Sequence, residues 1–257
     1  MAQYDPTIAL GLAEYSNFAY FRKEALKKQF ADAEFEFLEG EGDRVDTQAF
    51  MITNAKGVIL AFRGTQQWKD LATDLWSVTT TDHEGSSSRQ IHKGFCAAYD
   101  AVRPKIRQEI ENRAPARVFV TGHSLGGALA TLAAVHIAQE FSPLPVTMYN
   151  FGSPRLGDCS FAEFYNSKVN DSFRVVVPFD PVPHLPVAGW WSADYRHVDQ
   201  EHKLGNVALP FLSHDLVQSY LPQLSDEVQS HLAKGSDDAQ SDRSQLSHDS
   251  PCESYFD

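Results

Sequence analysis

The chain has 257 residues, 42% of them hydrophobic, which is enough to bury a large core in a single α/β domain. Its formal net charge of −12 argues against a nucleic-acid partner and against electrostatic binding to anionic membranes. No apolar run approaches the ~20 residues that a membrane-spanning helix needs, so we expect no transmembrane anchor. None of the ten histidines and three cysteines falls in a metal-binding spacing, so we expect no metal site. We also expect no other cofactor, and a monomer.

In chain order, the first predicted element is a helix over residues 6–21, where Pro6 opens the helix and apolar residues recur at helical spacing. A strand follows at residues 33–38. Strands at 46–53 and 58–62 flank four turn residues and indicate a hairpin. The strand at 58–62 is almost wholly apolar, as a central strand buried on both faces would be.

The middle of the chain alternates between helical and extended patterns. Residues 94–113 predict a helix that Pro104 should begin or kink. The apolar run 117–120 predicts a strand, and residues 128–141, without proline or glycine, predict a long helix. The remaining predicted elements are strands at 146–151 and 172–177, a weaker strand at 193–198, and a short helix at 214–221 that Pro222 ends.

The last part of the chain differs in composition from the rest. Residues 225–257 contain eight acidic residues against two basic ones, with few apolar side chains after residue 235. Such a segment cannot bury enough surface to offset the entropy lost on ordering. We therefore predict one domain over residues 1–224 and an acidic, disordered tail over 225–257.

Between the predicted strand and the long helix lies Thr-Gly-His-Ser-Leu-Gly-Gly, residues 121–127. The segment from Gly122 to Gly126 has the Gly-x-Ser-x-Gly spacing of a nucleophile elbow, a strained turn that exposes a serine hydroxyl. Glycine is needed at both ends because a side chain there would clash where strand and helix approach each other. An isolated match of this kind is often structural, but the flanking strand and helix favour Ser124 as a catalytic nucleophile.

A serine hydroxyl is a poor nucleophile near neutral pH and needs a base beside it. In elbow architectures the acid and the histidine follow the serine in chain order. Asp180, directly after an apolar strand, is favoured as the acid. Asp158 and Asp171 are alternatives in polar loops before that strand, and a simple turn before Pro181 is the other interpretation of Asp180.

The candidates for the base are His184, His197, His202 and His214. His184 follows Asp180 by only four residues, His197 lies in a strand-like run, and His202 lies in a charged turn. His214 stands at a loop-to-helix junction and is favoured, with His197 next. Its Nε2 would take the serine proton while Asp180 holds the Nδ1–H group.

The tetrahedral intermediate needs donors for its oxyanion. One is the N–H of Leu125, and the other should follow an earlier central strand, where Thr65 offers an N–H and a hydroxyl after Gly64. An ordinary turn is the alternative for Gly64 and Thr65. Residues 66–76 then place apolar side chains on one helical face, which indicates either a core helix or a lid that opens at a lipid surface.

These residues resemble the class 3 lipase family, which comprises the fungal-type triacylglycerol lipases and their feruloyl esterase relatives. The resemblance runs from about residue 50 to residue 221 and rests on several motifs in order. These are Phe-Arg-Gly-Thr (62–65), Ile-His-Lys-Gly-Phe (91–95), Val-Thr-Gly-His-Ser-Leu-Gly-Gly (120–127), Phe-Gly-Ser-Pro-Arg-Leu-Gly-Asp (151–158), Asp-Pro-Val-Pro-His-Leu-Pro (180–186) and the pair His214 and Tyr220.

The resemblance implies an α/β-hydrolase fold, with a mostly parallel central sheet, helices on both faces and a short helical lid at about residues 66–76. It implies a triad of Ser124, Asp180 and His214, with Thr65 as the side-chain oxyanion donor. It also implies that Asp74, in the last turn of the lid, steadies the oxyanion residue when the lid opens. His197 matches a structural position of the family.

The expected activity is that of a serine carboxylic-ester hydrolase, a triacylglycerol lipase that works transiently at a lipid–water interface and forms an acyl-enzyme on Ser124. The apolar face of Trp68, Leu71 and Leu75 favours lipid substrates. The alternatives are an esterase for soluble or aromatic esters, a phospholipase A1, and a non-catalytic lipid-binding relative. The lack of a signal-peptide pattern after Met1 favours a cytoplasmic location, with a secreted mature form as the alternative.

Overall fold

The computed structural model describes residues 3–40, 47–65, 79–81, 89–186, 194–198, 200–205 and 213–246. Its strands, in chain order, are β1 (Phe35–Glu39), β2 (Gln48–Asn54), β3 (Gly57–Phe62), β4 (Thr79–Thr81), β5 (Gln90–His92), β6 (Val118–His123), β7 (Val146–Phe151), β8 (Asp171–Val176) and β9 (Gln200–Lys203). The helices are α1 (Pro6–Phe18), α2 (Lys23–Gln29), α3 (Lys93–Asp100), α4 (Arg103–Arg113), α5 (Leu125–Glu140), α6 (Cys159–Lys168) and α7 (Leu221–Leu246).

The central sheet has the strand order β1-β2-β3-β6-β7-β8-β9 within the described residues. β1, β2 and β3 form an antiparallel meander, in which Asn54 pairs with Gly57 across the predicted hairpin turn. From β3 to β9 every neighbouring pair is parallel. β4 and β5 pair separately as a small antiparallel sheet. The predicted α/β fold with a mostly parallel sheet is confirmed.

The sheet is covered on both faces, because successive strand residues point to opposite sides. Leu60 and Val120 belong to the core beneath α3, α4, α5 and α6. Their strand neighbours Ile59 and Phe119 belong to the core beneath α1, α2 and the start of α7. Fully burying one such side chain stabilises the fold by about 1.5–3 kcal/mol. These two layers hold the carboxyl ends of the parallel strands at one edge, where ligand sites of open α/β sheets form.

Several predicted elements differ from those of the structure. The first helix ends at Phe18 rather than at residue 21. The predicted helix 94–113 is two helices, and Pro104 lies in the first turn of α4, where its missing N–H costs no helical bond. The weak strand at 193–198 is wrong, since among these residues Arg196 makes only an isolated bridge to Gly157, and the edge strand is β9.

Pro222 does not end the last helix, contrary to the prediction. Residues Leu216–Tyr220 form a π-turn, which leads directly into α7 at Leu221. The N–H of Leu221 donates to the carbonyl of Leu216, five residues back. Pro222 then falls in the first turn of α7, where a proline is tolerated. A π-turn of this kind is often found at functional sites.

Helix α7 also crosses the predicted boundary between domain and tail. Leu224 is fully buried, and Glu227 accepts hydrogen bonds from Tyr4 Oη (3.1 Å) and His202 Nε2 (2.8 Å). These contacts anchor the start of the helix on the domain, so the structure has residues 225–246 in α7 where the sequence predicts disorder. Residues 247–257 lie outside the described residues.

Candidate active site

Ser124 occupies the turn between β6 and α5, at a left-handed φ of 59° with ψ of −128°. A Cβ at Gly122 would overlap the carbonyl of Gly126, and a Cβ at Gly126 would overlap the carbonyl of Phe62. The strand and helix therefore pass too closely for any residue but glycine at both positions. The N–H of Ser124 donates to Phe151 O at 3.0 Å, while its Oγ is buried and has no hydrogen-bond partner among the described residues.

Asp180 and His214 form a buried pair at the same edge of the sheet. His214 Nδ1 donates to the carboxylate and lies 2.9 Å from each oxygen. The aspartate is 1% exposed and the histidine 3%. Because the carboxylate can only accept, the proton of a neutral His214 ring lies on Nδ1 and leaves Nε2 as the basic nitrogen.

The elbow and this pair meet at Gly152, which follows β7 at a φ of 58°. A Cβ there would lie 2.7 Å from Asp180 Oδ2 and 3.2 Å from His214 Cε1. The preceding carbonyl, of Phe151, accepts the Ser124 N–H. The structure thus brings together the three predicted triad residues, which come from the ends of β6 and β8 and from the loop before the π-turn.

The alternative acids lie elsewhere. Asp158 caps α6 by accepting the N–H of Phe161 at 2.8 Å. Asp171 stands at the first residue of β8 and accepts from Thr147 Oγ1, so it lies at the opposite end of the strand from the site. Both carboxylates have local structural roles.

The alternative bases are also in other settings. His197 Nε2 donates to Pro183 O at 2.6 Å, and burial, the largest cause, lowers the pKa of this histidine to about 3. His202 belongs to the edge strand β9 rather than to a turn, and it bonds Glu227. His184 lies in the 3₁₀ turn Val182–His184, where its carbonyl accepts from Arg155.

The predicted oxyanion residues flank the elbow. Leu125 is the first residue of α5, where backbone N–H groups have no partner inside the helix. A Cβ at Gly126 would also press on Arg63 and Gly64, so the backbone that leads to Thr65 packs against the first turn of α5. The predicted lid, with Trp68, Leu71, Asp74 and Leu75, lies outside the described residues.

Tyr220 is a site residue to which the sequence analysis gave no role. Its buried hydroxyl donates to Asp180 Oδ2 at 2.5 Å. Burial, followed by the charge of Asp180, raises the pKa of Tyr220 well above its usual value, so the hydroxyl stays a donor. A tyrosine in the helix after His214 was visible in the sequence, but its direction depends on the π-turn, which apolar periodicity does not reveal.

The described part of the chain contains no cluster of three or more His, Cys, Asp or Glu side chains suited to a metal ion. Within the same residues, no helix combines the length and apolar character required to cross a bilayer.

Sequence comparison matches residues 59–190 to the class 3 lipase family. The lipase of Rhizopus oryzae is 31% identical over 150 residues, which cover 55% of this chain and 38% of that protein. A secreted mono- and diacylglycerol lipase of Fusarium solani is 31% identical over 170 residues, or 63% of this chain and 49% of that protein. The matched part thus spans less than half the length of these relatives.

Solved structures agree with the sequence relationship. The triacylglyceride lipase of Rhizomucor miehei superposes with a TM-score of 0.67 at 25% identity, covering 80% of this chain and 82% of that one. Lipase II from Rhizopus niveus gives a TM-score of 0.65 at 25% identity, covering 79% and 83%. The fold is therefore the α/β-hydrolase fold of the fungal lipases. Since the family match covers half of the chain and includes most of β3, the elbow and Asp180, this protein belongs to the class 3 lipase family.

Proposed function

We propose that this protein is a serine ester hydrolase that cleaves lipid esters, with Ser124 as nucleophile, His214 as base and Asp180 as the acid that orients it. The observation that carries the proposal is the buried Asp180–His214 hydrogen bond, 2.9 Å long, beside the strained serine of the elbow. A nucleophile next to a base that is held by a third group is the arrangement that activates a serine hydroxyl.

In the proposed first half-reaction, Ser124 Oγ attacks the ester carbonyl carbon and its proton passes to His214 Nε2. Asp180 stabilises the imidazolium through its bond to Nδ1. The tetrahedral intermediate collapses, the C–O bond to the alcohol breaks, and His214 returns the proton to the leaving alkoxide. In the second half-reaction His214 takes a proton from water, the hydroxide attacks the acyl-enzyme, and the fatty acid leaves as the proton returns to Ser124.

The N–H groups of Leu125 and Thr65 are the proposed oxyanion donors, together with the Thr65 hydroxyl. Leu125 lies at the N-terminus of α5, where the helix dipole also favours negative charge. Losing one oxyanion donor typically raises the barrier by about 3–4 kcal/mol. Replacing Thr65 by Ala should therefore lower kcat by about 10²-fold or more, if its hydroxyl is one of these donors.

Exposed apolar side chains near the site support a lipid substrate. Phe179, next to Asp180, is 64% exposed, and Val217, three residues after His214, is 54% exposed. The loop that carries Phe179 is joined to the segment just before the π-turn that carries Val217, because Ser213 Oγ donates to the carbonyl of Phe179 at 2.9 Å. Large apolar groups held in water beside a reactive site match an acyl chain or a lipid surface. We propose acylglycerols as the substrate class, in keeping with the mono- and diacylglycerol lipases among the relatives.

The test is the turnover of p-nitrophenyl esters by Ser124→Ala, with Ser230→Ala on exposed α7 as the matched control. We expect Ser124→Ala to lose about 10⁴-fold or more in kcat and the control to retain wild-type activity. Substantial turnover by Ser124→Ala would contradict the proposal.

The substrate class is tested separately by a series of acyl chain lengths measured across the solubility limit. A maximum at long chains with a jump in rate above that limit supports an acylglycerol lipase. A maximum at acetate or cinnamate esters without a jump would indicate an esterase instead. Preferential release of fatty acid from phosphatidylcholine would indicate a phospholipase A1.

A further inference from the structure

His123, the residue before Ser124, bridges two segments that are remote in sequence. Its Nδ1 lies 2.9 Å from Tyr20 Oη, and its Nε2 lies 2.9 Å from the backbone carbonyl oxygen of His214. The centroids of the His123 and His214 imidazole rings are 4.6 Å apart, and the ring planes are inclined at 30°. His123 points to the same face of the sheet as Thr121, the face covered by α1, which explains how Tyr20, just after that helix, reaches it.

The partners of His123 define its protonation. A carbonyl oxygen can only accept, so Nε2 carries a proton and donates to His214 O. Burial, followed by the neighbouring His214, lowers the pKa of His123 well below its usual value, so the ring carries this proton alone. Nδ1 is then an acceptor, and Tyr20 is its donor. Burial also raises the pKa of Tyr20, so its hydroxyl keeps the proton that it donates.

The same pair is packed against the loop that leads to the predicted oxyanion residue. A Cβ at Gly64 would overlap Tyr20 Oη and would lie 2.5 Å from the carbonyl of His123. Tyr20 and His123 therefore contact three parts of the site, namely the elbow, the backbone before Thr65 and the backbone of His214.

We propose that Tyr20 and His123 are positioning residues for His214, an inference that rests on the proposed function. His214 is held at two points: Asp180 holds its ring through Nδ1, and His123 holds its backbone through the carbonyl. Because His123 adjoins Ser124 in the chain, the second bond fixes the distance between nucleophile and base independently of Asp180. A neutral His123 also places no second positive charge beside the imidazolium that forms on His214.

The experiment measures kcat and KM of three variants with a soluble ester, p-nitrophenyl butyrate. The concentration of active sites is determined by titration with a fluorophosphonate, and kcat is expressed per titrated site. Tyr20→Phe removes one neutral hydrogen bond and should lower kcat about tenfold with KM unchanged. His123→Leu removes both bonds and should lower kcat about 100-fold, as misplaced reacting groups do. His123→Gln keeps an N–H donor near the Nε2 position and should recover most of that loss.

Tyr15→Phe is the matched control, because the Tyr15 ring lies on α1 among Phe18, Phe30 and Phe50, away from the site. It should keep the wild-type kcat. Wild-type kcat per titrated site in both Tyr20→Phe and His123→Leu would overturn the proposal, since a merely structural role alters only the amount of folded protein. A His123→Gln variant as slow as His123→Leu would overturn the donor role. If His123→Leu does not fold, Tyr20→Phe decides the question alone, and wild-type kcat in that variant overturns the proposal.

The Ser124→Ala variant in the same assay separates this inference from the proposed function. Activity in Ser124→Ala means that the proposed function fails, whatever the rates of the Tyr20 and His123 variants. An inactive Ser124→Ala together with wild-type rates in Tyr20→Phe and His123→Leu means that the positioning inference alone fails.

Discussion

Tyr220 donates its hydroxyl proton to Oδ2 of Asp180, with 2.5 Å between the two oxygens. The other oxygen, Oδ1, accepts the N–H of Val182 at 2.9 Å, and His214 Nδ1 lies 2.9 Å from both. The carboxylate is 1% exposed, so these donors replace the water that would otherwise solvate it. The hydroxyl thus links the π-turn after His214 to the residue proposed to orient His214.

Tyr220→Phe should lower both stability and activity. The buried carboxylate loses a hydrogen bond, and bonds to charged groups contribute about 1.5–3 kcal/mol each. We expect the free energy of unfolding in urea to fall by about 1.5–3 kcal/mol and kcat to fall about tenfold, because Asp180 then holds His214 less firmly.

Tyr165→Phe is the matched control, since Tyr165 on α6 is an equally buried tyrosine, and its hydroxyl lies 2.7 Å from Ser172 Oγ near the start of β8, away from the site. It should lower stability but leave kcat at the wild-type value. An equal kcat for the Tyr220 and Tyr165 variants would refute a link between Tyr220 and the chemistry.

Gly152→Ala should damage the site more than the fold. The residue has a φ of 58°, and a Cβ would lie 2.7 Å from Asp180 Oδ2 and 2.8 Å from Tyr220 Oη. The backbone and these side chains must shift, and displaced catalytic groups commonly cost about 10²-fold in rate. We expect kcat for p-nitrophenyl butyrate to fall by at least that factor.

Gly11→Ala provides the same substitution in a place where it is harmless. Gly11 lies inside α1, and a Cβ there meets nothing within 4 Å. Alanine in a helix interior is favoured over glycine by roughly 0.5–1 kcal/mol, so this variant should unfold at a higher urea concentration with unchanged kcat. If Gly152→Ala is as active as Gly11→Ala, the added Cβ does not displace the groups of the site and the prediction is wrong.

The positions of Ser124 and Asp180 in the fold were predictable, because a local sequence pattern determines where each residue lies. The elbow spacing, between an apolar strand and a long helix, places the serine, and Asp180 follows the apolar run of β8 by a few residues. Parallel strands then bring both to the same edge. The contacts of Tyr220 and His123 were not predictable in this way. The first depends on a π-turn and the second on Tyr20, which is 103 residues from His123 in sequence.

Helix α7 shows what local sequence signals leave out, and the prediction that Pro222 ends the last helix was wrong for this reason. Acidic and polar residues after Leu224 indicated disorder, and Pro222 indicated a helix end. Both signals are local, and neither includes the burial of Leu224 or the bonds of Glu227 to Tyr4 and His202. Tertiary contacts of this kind outweigh helix propensity in most folded proteins.

Phe179→Ser should change substrate preference rather than basal chemistry. Phe179 has a φ of 66°, which is strained for a bulky residue, and its side chain is 64% exposed. Replacing the ring breaks no buried contact, but it removes an apolar group from the edge of the site. Partial burial of an aromatic ring against an acyl chain contributes about 1 kcal/mol. We therefore expect the hydrolysis rate of long-chain p-nitrophenyl esters to fall about three- to tenfold and that of acetate esters to stay unchanged.

Leu232→Ser is the control for a general loss of surface apolarity, because Leu232 is 65% exposed on α7, where no predicted site residue lies. Its ratio of long-chain to short-chain activity should equal that of the wild type. Parallel changes in the two variants would mean that Phe179 has no specific role in acyl-chain binding.

His197 should make the protein sensitive to acid in a defined pH range. Burial, with the Arg174 charge as the next cause, lowers the pKa of His197 from 6.5 to about 3. Between these values the unfolded chain binds a proton at residue 197 that the folded protein does not bind. The stability contributed by the neutral histidine is therefore fully present above about pH 6.5 and is lost as the pH falls towards 3.

The His197→Gln variant tests this expectation, because the glutamine amide can still donate to Pro183 O, the acceptor that lies 2.6 Å from Nε2 in the native protein. Urea unfolding at pH 7 and at pH 4.5 should show a smaller loss of free energy in the variant than in the wild type. The loss of unfolding free energy in the wild type should exceed that in the variant by an amount that grows as the pH falls, by at most about 1.4 kcal/mol per pH unit for one proton. His231→Gln on the exposed face of α7 should follow the wild-type curve. Identical acid sensitivity in His197→Gln and the wild type would mean that His197 is protonated equally in the folded and unfolded states.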